Sequence, residues 1–213
     1  MNRLLQLLFF LLLVRPLLLL LIGLNVRHRE RLPQSGPAIL IANHNSHLDT
    51  LALMSLYPLR QLHRLRPVAA MDYFLRNPLL AWFATRIIRI IPLRRRVKAG
   101  QGDPLAEGVE ALQRGEILIL FPEGTRGEPE QMGELKTGIA HLARRVPEVP
   151  VVPIYLHGLG MALPKGEALL VPFFCDVFIG QSIFWTGDRE SFMRQTSGAM
   201  TRLADESGFS EWK

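Results

Sequence analysis

The sequence predicts an α/β fold: a single domain with a mostly parallel mixed sheet flanked by helices, preceded by a hydrophobic N-terminal helical segment. Three observations carry this. Short apolar runs of strand length recur along the chain, at 38–42, 117–121 and 151–156. Helix start signals fall between them, an asparagine or aspartate followed by proline at Asn77-Pro78 and Asp103-Pro104. Strands that alternate with helices are joined by crossovers, and crossovers pair strands in parallel. Finally, residues 4–24 are almost entirely apolar, about the length that crosses a bilayer. With 213 residues, 48% hydrophobic and 21% charged, the chain can bury one core and is too apolar for a disordered segment.

The N-terminal run is a membrane anchor over residues 1–26, and the remaining 27–213 form the globular domain. Arg15-Pro16 divides the anchor into two leucine-rich pieces, 7–14 and 17–24. Proline removes a backbone donor and disfavours helical geometry at the residue before it, so a kink or break is expected there. An arginine at mid-membrane costs about 2.5–3.5 kcal/mol on insertion scales. Both flanks are basic, with Arg3 before and Arg27, Arg29 and Arg31 after, so the positive-inside rule favours neither orientation. A broken element dipping into one leaflet, with both ends cytoplasmic, satisfies all of these constraints. A single tilted span is the competing arrangement. A cleaved signal peptide is the third, disfavoured because no small-x-small site follows.

A polar connector over 27–37 leads to the strand at 38–42. Residues 48–56 read as a helix ended by Pro58, and 68–70 as a short strand. A helix runs from Asn77-Pro78 to about Thr85, and the β-branched stretch 87–93 reads as a strand. The helix after Asp103-Pro104 is closed by Gly115 and followed by the strand at 117–121. A helix over 134–145, strands over 151–156 and 176–179, and an amphipathic helix over 188–204 complete the pattern. The lone cysteine, Cys175, sits in a strand-like run and reads as a small packing residue.

The net charge of +6 conceals an asymmetry: residues 1–100 hold 15 Lys+Arg against Glu30, Asp49 and Asp72, a net +12, and the remainder is −6. A basic half calls for an anionic partner, which is a nucleic acid, a phosphate-bearing substrate or an anionic membrane. No aromatic stacking pattern or recognition motif supports nucleic acid.

Two loops carry reactive side chains at the carboxyl ends of predicted strands, where open α/β sheets bind ligands. One is Asn43-His44-Asn45-Ser46-His47-Leu48-Asp49, and the other is Pro122-Glu123-Gly124-Thr125-Arg126-Gly127. N-H-x-x-x-x-D followed by F-P-E-G-T-R resembles the glycerophospholipid acyltransferases, specifically the lysophosphatidic acid (1-acylglycerol-3-phosphate) O-acyltransferases. The resemblance covers residues 37–183. It includes a second block, Ile90-Ile91-Pro92-Leu93-Arg94-Arg95, and a fourth, Val149-Pro150-Val151-Val152-Pro153-Ile154. The second block departs from the family pattern, with Arg89 where glycine is usual, and its arginine is Arg95 or Arg94.

The resemblance implies transfer of a fatty acyl group from acyl-CoA or acyl-carrier protein to the free hydroxyl of lysophosphatidic acid. The product would be phosphatidic acid and no cofactor would be needed. It implies an enzyme of phospholipid biosynthesis working at the cytoplasmic face of the inner or cell membrane. It also implies substrate-binding roles for Arg95, Glu123, Gly124, Thr125, Arg126 and Lys136, with Glu123 organising the acceptor site.

The residues support this chemistry in their own right. Acyl transfer from a thioester to an alcohol needs a base for the hydroxyl, and histidine titrates in the right range. A carboxylate on its other ring nitrogen fixes the tautomer, which pairs His44 with Asp49. No serine or cysteine is placed for a covalent acyl-enzyme, so direct transfer is expected. Oxyanion donors are expected from backbone N–H groups near Gly124 or after Asn43. Arg95 and Arg126 suit a phosphate clamp, with Lys136 adding a point charge. Arg86, Arg96 and Lys98 read as a basic, membrane-facing surface. The alternatives are another lyso-lipid acceptor, including a lyso-aminolipid, and a non-catalytic basic membrane-binding module. A zinc site on His44, His47 and Asp49 lacks the usual ligand spacing and a water-activating acid, so no metal is expected.

Overall fold

The computed structural model describes residues 2–46, 48–71, 77–94, 102–125, 127, 132–162 and 174–208. Seven strands form one sheet: β1 (Leu24–Arg27), β2 (Ala38–Ala42), β3 (Leu65–Ala70), β4 (Ile91–Leu93), β5 (Ile117–Leu120), β6 (Val151–His157) and β7 (Cys175–Ile179). Their order is β1-β7-β6-β2-β5-β3-β4. All neighbours are parallel except β6 and β7, so β1 and β7 run against the other five. The predicted mostly parallel mixed sheet is what forms.

Successive side chains of a strand point to opposite faces, and β2 shows the consequence. Ala38, Leu40 and Ala42 enter one apolar cluster and Ile39 and Ile41 another. With both faces covered, the strand is apolar at every position rather than alternating. The first cluster is roofed by α1 (residues 2–22), α2 (Leu48–Ser55), α3 (Pro78–Phe83, continuing to Ile88) and residue Leu159 of the short α6 (Leu159–Ala162). The second is roofed by α4 (Ala106–Gln113), α5 (Gly138–Arg145) and α7 (Arg189–Glu206). The lone Cys175 is a buried packing residue of the first cluster.

The largest departure from the sequence reading is α1. It runs unbroken through Arg15-Pro16, with π-type turns at Phe10–Val14 and Leu18–Ile22 on either side of Arg15–Leu17. Two physical reasons account for this. Arg15 is turned inward, its Nη2 donating to the Tyr57 carbonyl at 2.9 Å, so its charge ends on a protein acceptor. Moreover, α1 buries Gln6, Phe10, Val14, Leu18 and Ile22, a spacing of four. At 3.6 residues per turn such a stripe would wander around the helix; wider π turns keep it on one face.

Other differences are local. Residues 24–27, read as the last residues of the anchor and the first of the connector, pair instead with β7 as an edge strand. The helix from Pro78 continues to Ile88 instead of stopping at Thr85, so the strand expected over 87–93 contracts to Ile91–Leu93. Arg89 ends that helix in the left-handed region at φ 65°, which explains the usual glycine there. The guanidinium that replaces the glycine donates to the His63 carbonyl and pairs with Glu116 at 3.2 Å. Glu116 precedes β5, at the sheet edge opposite His44, so Arg89 is directed away from the catalytic loops. Residues 134–137 are not helical, because the Lys136 N–H is drawn to the Pro122 carbonyl at 2.9 Å. The predicted 188–204 helix is observed as α7, with Asp188 as its cap, accepting from the Ser191 N–H at 2.7 Å.

Candidate active site

β2 and β5 are adjacent and in register, with Ile41 opposite Leu120, so the two reactive loops leave the sheet at the same level. Asn43 governs how the first departs. It is fully buried, its Nδ2 donates to the Leu156 carbonyl at 2.8 Å and its Oδ1 accepts from the Leu156 N–H at 2.7 Å. The side-chain amide thus copies a backbone amide and prolongs the β2–β6 pairing by one rung, after which the chain turns out at His44. The sequence reading gave Asn43 no role. A polar residue directly after a buried strand was the available signal, since buried amides must find partners.

His44 Nδ1 lies 2.9 Å from Asp49 Oδ2. That same oxygen accepts from the N–H groups of Asn45 at 2.8 Å and Ser46 at 2.9 Å, so one buried carboxylate oxygen gathers the whole turn. Asp49 stands in the first turn of α2, which brings a residue five positions on back to the imidazole. Oδ1 has no hydrogen-bond partner. Burial raises the Asp49 pKa above the ordinary carboxylate range, and the His44 ring with the Ser46 and Asn45 amides offsets part of the rise. The His44 ring stacks on Phe121, centroids 4.1 Å apart and planes 20° apart, so β5's loop fixes the ring plane.

The second loop also holds the His44 backbone. Glu123 Oε1 accepts from the His44 N–H at 3.2 Å, and the Gly127 N–H donates to the His44 carbonyl at 3.0 Å. Glu123 is buried, and its Oε2 faces the Gly133 backbone. Its contacts are those of a residue that positions His44, whereas the sequence reading had it organise the acceptor. Burial raises the Glu123 pKa, opposed by the His44 and Gly133 amides. The fold therefore favours the protonated carboxyl. This advantage is complete below the ordinary carboxyl value and is lost as pH rises through the raised one. Glu123→Gln cannot ionise but keeps an acceptor for the His44 N–H. Its melting temperature should gain on wild type as pH is raised from about 4 to 7. A constant gap across that window in thermal melts would refute the account.

Gly124 takes φ +74°, where a side chain is strained, and a Cβ there would lie 3.3–3.4 Å from the end of the Lys136 side chain. The end of the Lys136 side chain thus lies against Gly124, next to exposed Thr125 in the chain. Among the N–H groups in the two stretches expected to serve an oxyanion, three donate within the protein: Gly124 to the Phe121 carbonyl, and Asn45 and Ser46 to Asp49. Packing of the loop itself consumes them, a cost invisible in sequence. Arg94 is described and exposed; Arg95, Arg126 and His47 lie outside the described residues. The phosphate clamp and the third ligand of the zinc alternative therefore have no geometry here.

The arrangement is a buried carboxylate, a half-exposed imidazole and a cation across a glycine-shaped loop, all at one sheet edge. A family model described as Acyltransferase matches residues 23–157, which include both loops. The chain is 33% identical over 145 residues to the chloroplastic 1-acyl-sn-glycerol-3-phosphate acyltransferase LPAT1 of Arabidopsis thaliana, covering 68% of this chain and 38% of that protein. It is 28% identical over 148 residues to a lyso-ornithine lipid O-acyltransferase of Rhizobium meliloti, covering 67% of this chain and 47% of that one. It therefore spans less than half the length of either relative. Among solved structures, the 1-acyl-sn-glycerophosphate (LPA) acyltransferase PlsC of Thermotoga maritima superposes with a TM-score of 0.76. That match has 21% identity, covers 96% of this chain and 80% of that one, and shows a shared fold. With the family model covering more than half of its length and both reactive loops, the chain belongs to the acyltransferase family.

Proposed function

We propose that the protein is a membrane-anchored 1-acylglycerol-3-phosphate O-acyltransferase, moving a fatty acyl group from acyl-CoA or acyl-carrier protein to lysophosphatidic acid. The observation that carries this reading is the His44 Nδ1 to Asp49 Oδ2 contact of 2.9 Å, on a loop clasped by the F-P-E-G-T turn. With Nδ1 held by Asp49, Nε2 takes the proton from the substrate hydroxyl. The hydroxyl oxygen attacks the thioester carbonyl, forming the C–O bond of the new ester. The C–S bond then breaks, and Nε2 of His44 returns the proton to the departing sulfur, giving the free thiol and restoring the base. Nothing on the enzyme is acylated. A non-catalytic membrane-binding module has no need of a buried aspartate aligned on a histidine.

Arg126 and Arg95, with Lys136, bind the acceptor's phosphate monoester, which offers more charge and less bulk than a choline or ethanolamine diester. Thr125 and Gly124 line the same turn. A second reading keeps the mechanism and changes the acceptor to a lyso-aminolipid, and the rhizobial relative's name favours keeping it open. Within residues 1–26, the helical stretch 2–22 serves as the anchor and 24–26 belong to the sheet, with the site at the cytoplasmic face. The buried stripe of α1 supports the one-leaflet arrangement, because a span normal to the bilayer would have to abandon Phe10, Val14, Leu18 and Ile22 as core residues.

The test is a panel of lyso-lipids offered with both thioester donors, the products read by mass. Lysophosphatidic acid should be the preferred acceptor. Each charge-assisted contact is worth about 1.5–3 kcal/mol, so Arg126→Ala should lower kcat/KM for it by roughly 10–150-fold. Arg126→Lys should recover only part, keeping the charge and losing the fork. If a zwitterionic lyso-lipid is used equally well and Arg126→Ala harms both equally, the monoester clamp is wrong.

A further inference from the structure

We infer that the helix Pro78–Ile88 is a second membrane-inserting element, seated beside α1 and forming with it a two-helix face for one leaflet of an anionic bilayer. The inference builds on the proposed anchoring by α1 and adds an element from within the globular domain.

Residues 78–84, Pro-Leu-Leu-Ala-Trp-Phe-Ala, carry no polar side-chain group but the Trp82 indole N–H, which suits an interfacial position. Yet Leu79 is 78% exposed and Trp82 49%, with Leu80 also on the surface. An apolar helix end in lipid must leave no backbone donor unpaired. This one complies. Pro78 has no N–H, Leu79 and Leu80 donate to Asn77 Oδ1 at 2.9 and 3.3 Å, and Ala81 donates to the Asn77 carbonyl at 2.8 Å. The next polar side chain, Thr85, spends its hydroxyl on the Ala81 carbonyl at 2.7 Å. The end of the helix is thereby closed to water on its backbone and apolar on its surface.

α1 continues the same face. Phe9 meets Phe83 edge-on at 5.1 Å, and Asn2–Phe9 contacts both 84–88 and 59–64. The two helices are antiparallel, because 78–88 returns from the carboxyl end of β3 to the amino end of β4, and α1 ends where β1 begins. On its outer side α1 exposes Leu12, Leu13, Leu19 and Leu20, the last at 81%. At the end shared by Asn2–Phe9 and 84–88 stand exposed Arg3, Arg60, Arg64 and Arg86, and residues 2–22, 59–64 and 78–88 contain no acid. Apolar surface graded into an unopposed basic collar matches acyl chains below anionic headgroups. It does not match a second copy, which would oppose arginine to arginine.

The opposite end of this face lies at the sheet edge that carries His44. β1 runs against β2, so its first residue, Leu24, marks the edge where β2 ends. Exposed Phe174, packed on Gly23, adds to the apolar surface there.

The test uses the full chain with Trp185→Phe and Trp212→Phe, leaving Trp82 as reporter. Vesicles contain phosphatidylglycerol and phosphatidylcholine, with or without bromine on the acyl chains. Trp82 emission should shift to the blue on binding and be quenched by the brominated lipid. Leu79→Asp with Leu80→Asp should weaken vesicle binding by at least about tenfold while the melting temperature stays near wild type. Vesicle-bound protein with Trp82 unshifted and unquenched would overturn this inference alone, leaving α1 as the anchor. Failure of the wild type to bind vesicles would overturn it together with the anchoring reading. A soluble dimer that Leu79→Asp dissociates would assign the face to a second copy and overturn it as well. None of these readouts depends on acyl transfer.

Discussion

His44→Ala should lower kcat by about 10²–10⁴ with the fold intact, the usual worth of a positioned general base. The fold should survive because the His44 backbone contacts, the N–H to Glu123 and the carbonyl to Gly127, remain in the alanine variant, as do the Asn45 and Ser46 amides on Asp49. What is lost is the imidazole between Asp49 and the substrate hydroxyl. Single-turnover measurement with saturating lysophosphatidic acid and acyl-CoA isolates the chemical step, and circular dichroism checks the fold. KM for both substrates should change little, since the ring is assigned to chemistry and not to binding. A folded His44→Ala protein with near-wild-type turnover would remove the mechanism.

Asp49→Asn is expected to be nearly as severe, a loss of about 10²–10⁴ in kcat, for a different reason. The amide oxygen of asparagine can replace Oδ2 and still accept from Asn45, Ser46 and the His44 ring. The turn should hold. The charge that stabilises the imidazolium during proton transfer is gone, and the amide can instead donate to Nδ1 and fix the wrong tautomer. Stability should move little, because two effects oppose. The amide nitrogen would occupy the position of Oδ1, which has no partner, and an unmet buried donor costs about 1–3 kcal/mol. Against this, the variant no longer buries an ionisable carboxyl whose pKa burial has raised. A variant that melts like wild type but has lost catalysis is the expected signature. Retained catalysis in Asp49→Asn would mean that the aspartate serves only to close the turn.

Membrane association and chemistry can be separated by the same logic. The exposed leucines of α1 and of Pro78–Ile88 lie on the surface, whereas the buried stripe of α1 packs in the same core cluster as α2. Truncating the N-terminus is therefore a poor test of anchoring. It would remove Phe10, Val14, Leu18 and Ile22 from the core and strip the Tyr57 carbonyl of Arg15. Surface substitutions on the outer face are the informative ones.

Local sequence alone determined the strands at β2, β5 and β6, the starts of α3 and α7, and the pairing of His44 with Asp49. These features depend on neighbours in the chain. A doubly covered strand must be apolar throughout, an Asn-Pro or Asp cap serves the next turn, and Asp49 is close enough in sequence for a turn to carry it back to His44. Tertiary structure decided everything that depends on a partner distant in sequence. Asn43 acquired its role because Leu156 lies beside it across the sheet, and Glu123 became a support for His44 because β5 pairs with β2. The clearest case is α1. By composition, Arg15-Pro16 should interrupt a membrane helix, since an unpaired charge and a missing donor are both costly in lipid. The fold removes that penalty by laying the helix along the protein, where the Tyr57 carbonyl receives the guanidinium and a stripe of four-residue spacing finds a core to enter.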